Sequence, residues 1–169
     1  EGEHKILQHI KKNTKENDVV VIYGLDADLI FLALASQKKN IYLLREALQL
    51  GIGTNKEDPD LYDPVKDVGQ ELMYVSIDEI KNTFNNIMWD KCSNVDYSND
   101  FIFICFLLGN DFLPHFLSID IYNGGLDFII ACYIECVKET NQLIISFDKD
   151  KVKINNVMFI AFLEKVALN

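Results

Sequence analysis

Long apolar runs and C-x-x-C cysteine pairs are missing from this 169-residue sequence. The longest apolar run, residues 101–108, is followed by Gly109-Asn110-Asp111 and falls well short of the roughly 18 residues that a membrane helix needs. We therefore expect no membrane partner. The four cysteines show no C-x-x-C spacing, which predicts packing roles in a reduced intracellular compartment rather than metal ligation.

Positive charge is also scarce. The net charge is −10, and Arg45 is the only arginine beside 15 lysines. Because contacts to phosphate need Lys and Arg, this balance disfavours a stand-alone nucleic-acid-binding module. It does not disfavour an enzyme whose acidic side chains hold metal ions. The 49% hydrophobic content is sufficient for a sizeable core, so we expect a folded chain.

The apolar patterns predict an α/β fold with its sheet in the first half and a mainly helical second half. We expect residues 1–169 to be one partial domain cut from a longer protein, because the sequence lacks an initiator methionine. Residues 51–70, rich in glycine, proline and charge, are predicted to be an exposed or disordered insertion. Strands are predicted over 19–23, 41–44 and 74–75, with two more short strands within 143–154. Helices are predicted over 3–15, 29–36, 76–92, 101–108, 125–140 and from Asn155 or Asn156 to 167.

Two aspartates follow the first predicted strand. The β-branched run 19–22 predicts a buried strand, and Asp26 and Asp28 come just after its carboxyl end, where open α/β sheets usually hold ligands. Close carboxylates repel each other unless a cation neutralises them, so the pair suggests a divalent metal site. Taken alone, the same D-x-D pattern fits a solvated turn equally well.

Two further acidic segments could join this pair. Glu1 and Glu3 begin a predicted helix, and Asp111 lies on the turn that follows Gly109. Mg²⁺ prefers carboxylate oxygen and water, and two such ions ~3.5–4 Å apart can orient a nucleophilic water in phosphodiester hydrolysis. Each segment by itself also fits plain solvated charge or a turn residue, so only their combination favours a metal site.

The acidic segments and their surroundings resemble the nuclease domain of the Xrn-type 5′→3′ exoribonucleases. The matching stretches are EGEHKI at 1–6, YGLDADLI at 23–30, YLLRE at 42–46 and FIFICFLLGNDFLPH at 101–115. They are long, specific and in the family's order, and they extend over residues 1 to about 128.

The resemblance implies a PIN- and flap-nuclease-like fold, with a parallel sheet flanked by helices and a mainly helical C-terminal half. It also implies Mg²⁺-dependent, processive digestion of RNA that bears a 5′-monophosphate, with Mn²⁺ as an alternative metal. The cytoplasm is the expected compartment, with the nucleus as the alternative. On the family's pattern, the catalytic and metal-binding positions are Glu1, Glu3, Asp26, Asp28 and Asp111.

The chain also departs from the family's pattern. The family's first acidic positions and its basic 5′-phosphate-binding residues precede the E-G-E motif and are not in these 169 residues. We therefore expect the missing N-terminal part of the same nuclease domain as a partner, and a chain that is inactive alone. One alternative is a degenerate nuclease that serves as a non-catalytic RNA- or protein-binding scaffold. Another is a haloacid-dehalogenase-type phosphatase, which is disfavoured because Leu29 follows the aspartate pair and no clear Asp-Asp pair occurs.

Overall fold

The structure, a computed structural model, describes residues 2–24, 26, 28–46, 72–109, 113–114, 124–149 and 151–168. Two compact units are present, Glu1–Ile80 and Lys81–Asn169. The predicted insertion over 51–70 lies outside the described residues. The elements in chain order are α1 (Gly2–Asn13), β1 (Val20–Tyr23), α2 (Asp28–Ala35), β2 (Ile41–Glu46), β3 (Leu72–Ser76), α3 (Ile77–Trp89), α4 (Ser98–Phe106), α5 (Gly125–Thr140), β4 (Ile145–Asp148), β5 (Lys151–Ile154) and α6 (Asn156–Leu168).

The first unit contains a three-stranded sheet in the order β1-β2-β3. β1 pairs with β2 in parallel, with Val20 opposite Ile41, whereas β3 pairs with β2 antiparallel, with Ser76 opposite Tyr42. The α/β class is thus confirmed, but the expectation of a parallel sheet is wrong for β3. Apolar alternation identifies a strand without giving its direction, which depends on the connection that precedes it.

β1 is buried on one face only. Ile22 is 6% exposed, whereas Val21 and Tyr23 are 49% and 62% exposed, and Val19, just before the strand, is 67% exposed. Because successive side chains of a strand point to opposite faces, the three exposed residues share one face of the sheet. The prediction of a buried strand is therefore wrong for this face in the described structure.

Helices α1 and α2 pack beside the sheet. Ile10 of α1 and Leu29 and Ala33 of α2 are buried, and they line a small cleft together with Ile22 of β1. In α1 the apolar stripe recurs at helical spacing, and Lys11 and Lys12 occupy the last turn, where the helix dipole favours cations. Glu3, in the first turn of α1, and Leu29, in the first turn of α2, line the same cleft, so the N-terminal turns of the two helices are neighbours.

The second unit is built around α4, α5 and α6. Ile104, Tyr133 and Phe162, one from each helix, are fully buried in a shared core. The hairpin of β4 and β5 is antiparallel, with Ile145 opposite Ile154. Both predicted short strands within 143–154 are confirmed. Cys132 and Cys136 are buried in the same core, as expected of packing residues, and all four cysteines are free.

Two predicted helix starts have the expected side-chain hydrogen bonds. The Ser76 hydroxyl accepts from the backbone N–H of Glu79 at 3.3 Å, before α3. The Asn155 side chain accepts from the backbone N–H of Met158 at 3.2 Å, before α6. These bonds satisfy N–H groups that lack a partner in the first helical turn. Among the described helices, none combines the length and the apolar character needed to cross a bilayer.

Candidate active site

Gly24 forms the exit from β1. Its N–H donates to the Leu44 carbonyl at 3.4 Å, which extends the pairing with β2 by one residue. A Cβ at this position would collide with Cδ1 of Leu29, a residue that is only 5% exposed. The absence of a side chain at Gly24 therefore lets the end of β1 pass close to the first turn of α2.

Asp26 and Asp28 are linked by a local hydrogen bond. The Oδ1 atom of Asp26 accepts from the backbone N–H of Asp28 at 3.0 Å. Asp28 is the first residue of α2, so both carboxylates lie at a helix N-terminus, where the helix dipole favours negative charge. Asp26 is exposed and Asp28 half-buried. The turn thus presents one carboxylate to solvent in an orientation fixed by the backbone.

Glu3 lies near this turn. It occupies the first turn of α1, is half-buried, and lines the same small cleft as Leu29, which directly follows Asp28. The first unit therefore brings two of the three predicted acidic segments, the one with Glu3 and the one with Asp26 and Asp28, to neighbouring helix starts.

Glu1 and Asp111 lie outside the described residues. Gly109 is described: its φ of 91° is left-handed, and its N–H donates to the Phe106 carbonyl at 3.2 Å. Helix α4 ends at Phe106, two residues before the predicted end at Leu108, and Gly109 then takes the left-handed conformation that glycine adopts without the strain of a side chain.

Carboxylate oxygens are the ligands that Mg²⁺ prefers, so Glu3, Asp26 and Asp28 are chemically suited to it. Within the part of the chain that the structure describes, however, no three His, Cys, Asp or Glu residues come together as a metal site. The five-carboxylate site therefore stays a prediction.

Asp100 is a buried carboxylate that the sequence patterns assigned wrongly. The sequence predicts a helix over 101–108 with Asn99 or Asp100 as its N-cap, but α4 already starts at Ser98 and Asp100 is 1% exposed inside it. Its Oδ2 accepts from the Tyr133 hydroxyl at 2.5 Å and from Ile144 N–H at 2.7 Å, and its Oδ1 from Ile145 N–H at 2.7 Å. These bonds join α4 to α5 and to the start of β4.

The same environment shifts two pKa values. Burial raises the pKa of the Asp100 carboxyl, and its three hydrogen bonds oppose that rise. Burial, with the adjacent Asp100 carboxylate, raises the pKa of Tyr133 as well, so this phenol stays a hydrogen-bond donor. The signal that sequence analysis lacked is tertiary: the three donors to Asp100 are 33, 44 and 45 residues away along the chain.

The start of α4 is held instead by Asp96 and Asn85. Asp96 Oδ1 accepts from Ser98 N–H at 3.0 Å and from Ser98 Oγ at 2.6 Å, and Asn85 Oδ1 accepts from Tyr97 N–H at 2.9 Å. Lys81 Nζ lies 2.7 Å from the Asp96 carboxylate. Burial acts to raise the pKa of Asp96, but the hydrogen bonds from Lys81, Ser98 and Asn85 outweigh it and hold the pKa well below its usual range.

Two consecutive family models match this chain. Residues 1–47 match the model described as XRN 5′-3′ exonuclease N-terminus, and residues 91–167 match the model described as Xrn1 helical domain. The chain belongs to the Xrn-type 5′→3′ exoribonuclease family. The first match contains Glu1, Glu3, Asp26 and Asp28, and the second contains Asp111, so every predicted site residue falls within a matched region of this family.

Curated relatives agree with the family models. The chain is 28% identical to the 5′-3′ exoribonuclease 2 homolog of Drosophila melanogaster over 192 aligned positions, covering 95% of the chain and 21% of that protein. It is 32% identical to the 5′-3′ exoribonuclease 2 of Debaryomyces hansenii, covering 79% of the chain and 15% of that protein. For the 5′-3′ exoribonuclease 1 of Schizosaccharomyces pombe the identity is 33%, with 79% of the chain and 10% of that protein covered. The chain thus spans at most about a fifth of these three relatives.

Proposed function

We propose that this Xrn-type chain forms part of the catalytic centre of an enzyme that hydrolyses RNA stepwise from a 5′-monophosphate end. One observation carries the proposal: in a chain of this family, Asp26 and Asp28 follow the carboxyl end of β1, and the Asp26 carboxylate is held toward solvent by the Asp28 N–H. In open α/β sheets, the carboxyl ends of the strands are the usual place for ligands.

The proposed metal ligands are Glu3, Asp26 and Asp28, together with Glu1 and Asp111. Their hard oxygen atoms suit Mg²⁺, with Mn²⁺ as the alternative. A bound divalent ion would activate a water molecule and stabilise the charge that develops on the phosphate. Asp26 contributes a carboxylate oriented by the backbone of α2, and Gly24 contributes the close approach of β1 to α2 that fixes this turn.

The remaining ligands and the site for the 5′-phosphate are proposed to come from the rest of a longer protein. Two findings support this: the chain spans only part of its relatives, and its net charge of −10 leaves little basic surface for RNA. The proposal includes a PIN- and flap-nuclease-like domain that is completed by a preceding N-terminal part. The longer protein would act in RNA decay in the cytoplasm, with the nucleus as the alternative compartment.

The proposal is tested with the full-length protein and two RNAs of one sequence, one with a 5′-monophosphate and one with a 5′-cap. We expect Mg²⁺-dependent degradation of the first RNA, with the capped RNA spared, and loss of degradation when a chelator removes the metal. Equal degradation of both RNAs would contradict the proposed end specificity.

A non-catalytic scaffold is the second candidate function. The same assay separates the two functions, because a scaffold would bind the RNA or a protein partner without shortening the RNA under any metal condition.

A further inference from the structure

Arg45 lies at the carboxyl end of β2, beside the exit from β1. Leu44 is opposite Tyr23 in the parallel pair, and the Gly24 N–H donates to the Leu44 carbonyl. In a parallel ladder this bond places Gly24 beside Arg45, on strands about 4.8 Å apart. The cation therefore lies at the edge of the sheet from which the chain runs on to Asp26.

The Arg45 side chain is on the face of the sheet that α1 and α2 cover. Ile41 and Leu43, its alternate neighbours along β2, are both 0% exposed, and side chains two residues apart in a strand share a face. Gly24 is on this face too, because a Cβ there would collide with Leu29 in the first turn of α2. Arg45 is therefore a neighbour of the first turn of α2.

The surroundings of Arg45 are partly apolar. The side chain is half-buried with its Nε atom enclosed, and its neighbours on the two adjacent strands, Gly24 and Met73, carry no charge. Burying part of a charged group costs solvation free energy, which an anion nearby offsets. Under the proposed function, the carboxylates at this edge bind metal ions, and the phosphate that those ions bind brings a further negative charge to the same place.

The residue type at position 45 is an exception in this chain. Arg45 is the only arginine beside 15 lysines, so lysine meets the need for positive charge elsewhere. A guanidinium differs from an ammonium in its planar fork of N–H donors, which can bind two oxygens of one phosphate. Such groups stabilise the charge that develops on a phosphate during its transfer. The exception therefore indicates a requirement for geometry as well as for charge.

We propose that Arg45 binds the non-bridging oxygens of the first internucleotide phosphate of the RNA, at the linkage that is cut. It is then a catalytic residue beside the metal-binding carboxylates. The buried stem of the side chain and the two paired strands hold its guanidinium in place for this contact. The inference rests on the proposed function and deepens it, because it names a protein group that binds the substrate phosphate.

A binding cycle tests the contact without hydrolysis. Two 5′-monophosphorylated RNAs are compared, one natural and one with a methylphosphonate, which lacks the charge and one oxygen, at the first linkage. With a chelator present, fluorescence anisotropy of the full-length protein should show about tenfold tighter binding of the natural RNA. Arg45→Met should bind both RNAs equally. A variant that keeps the wild-type ratio would overturn the proposal, because a structural role of Arg45 weakens both RNAs alike. Equal binding of both RNAs by the wild-type protein would overturn it as well.

Hydrolysis rates of full-length variants give a second test. With Mg²⁺ and 5′-monophosphorylated RNA we expect a loss of at least about tenfold for Arg45→Met and a smaller loss for Arg45→Lys, which keeps the charge without the fork. The matched control is Lys39→Met, which removes an exposed cation just before the amino end of β2 and should leave the rate unchanged. Melting temperatures check that all three variants fold. A wild-type rate for Arg45→Met would overturn this role while the proposed function stands, whereas no hydrolysis by the wild-type protein would contradict the proposed function itself.

Discussion

The turn between β1 and α2 depends on two residues with different physical roles. Gly24 provides space, since a side chain there would collide with Leu29, and Asp26 provides a carboxylate that the Asp28 N–H orients. The sequence identified Asp26 and Asp28 as candidate ligands because paired carboxylates are a local pattern. The steric requirement at Gly24 was not visible, because it depends on the position of the Leu29 side chain.

Gly24→Ala is expected to lower the free energy of unfolding of the 169-residue chain by roughly 1–3 kcal/mol, because the added methyl group must displace buried Leu29. Gly2→Ala is the matched control, since a Cβ there meets nothing within 4 Å. This control should leave the stability unchanged or raise it by up to about 1 kcal/mol. Urea denaturation measures both values. Equal stabilities of the two variants would contradict the steric role of Gly24.

Asp100→Asn is expected to destabilise the chain by at least about 2 kcal/mol, because one amide oxygen cannot replace two carboxylate oxygens that accept from three donors. Tyr133→Phe removes only one of the donors and should cost about 1 kcal/mol. Thermal denaturation of both variants checks the order of these effects. A Tyr133→Phe variant that is the less stable of the two would show that the hydroxyl, rather than the carboxylate, organises the cluster.

At the scale of single elements, the predicted helices and strands agree with the structure where the signal is local. The caps at Ser76 and Asn155, the left-handed turn at Gly109 after α4 and the strand pair β4–β5 all follow from short-range patterns. The predicted start of α4 was wrong because Asp100, although of a residue type common at helix caps, lies inside the helix. Its carboxylate accepts hydrogen bonds from α5 and from the start of β4. The predicted direction of β3 was wrong because an alternating apolar pattern does not encode whether a strand pairs in parallel or antiparallel.

The N-terminus of α4 gives a prediction about pH. The pKa of Asp96 is lowered in the folded chain, so its contribution to stability is present above the usual value of 3.8 and is lost as the pH falls toward the depressed folded-state pKa. Asp96→Asn should therefore cost about 1 kcal/mol near pH 7, as for loss of a helix cap, and less near pH 3. Chemical denaturation at several pH values measures the difference. A cost that is the same at both pH values would contradict the ionic role of Asp96.

At the scale of the whole molecule, the chain belongs to the Xrn-type exoribonuclease family. Only three of the five predicted carboxylates, Glu3, Asp26 and Asp28, lie among the described residues. Matches to family models cover residues 1–47 and 91–167, and these regions include all five predicted carboxylates. Glu1 and Asp111 lie outside the described residues, and the second unit that contains Asp111 is compact in its own right. Glu1 and Asp111 are therefore predicted from their motifs alone, whereas Glu3, Asp26 and Asp28 are predicted from motifs and also described in the structure.

If, as proposed, the site is completed by the rest of a longer protein, the 169-residue chain alone should not shorten RNA. Its acidic ligands would be incomplete, and its charge of −10 repels the substrate. A fluorescence assay with 5′-monophosphorylated RNA and Mg²⁺ should show no degradation by the chain and rapid degradation by the full-length protein. Degradation by the chain at a comparable rate would contradict the need for further ligands.

The most direct test of the central claim, that Asp26 is a metal-binding carboxylate of an exoribonuclease, is the degradation rate of full-length Asp26→Asn. Asparagine keeps an oxygen that can accept from the Asp28 N–H but removes the charge. The control is Glu16→Ala, which removes an exposed carboxylate outside the proposed site. With 5′-monophosphorylated RNA and Mg²⁺, we predict a loss of at least about a hundredfold for Asp26→Asn, an unchanged melting temperature, and wild-type activity for Glu16→Ala. Wild-type activity of Asp26→Asn would contradict the account.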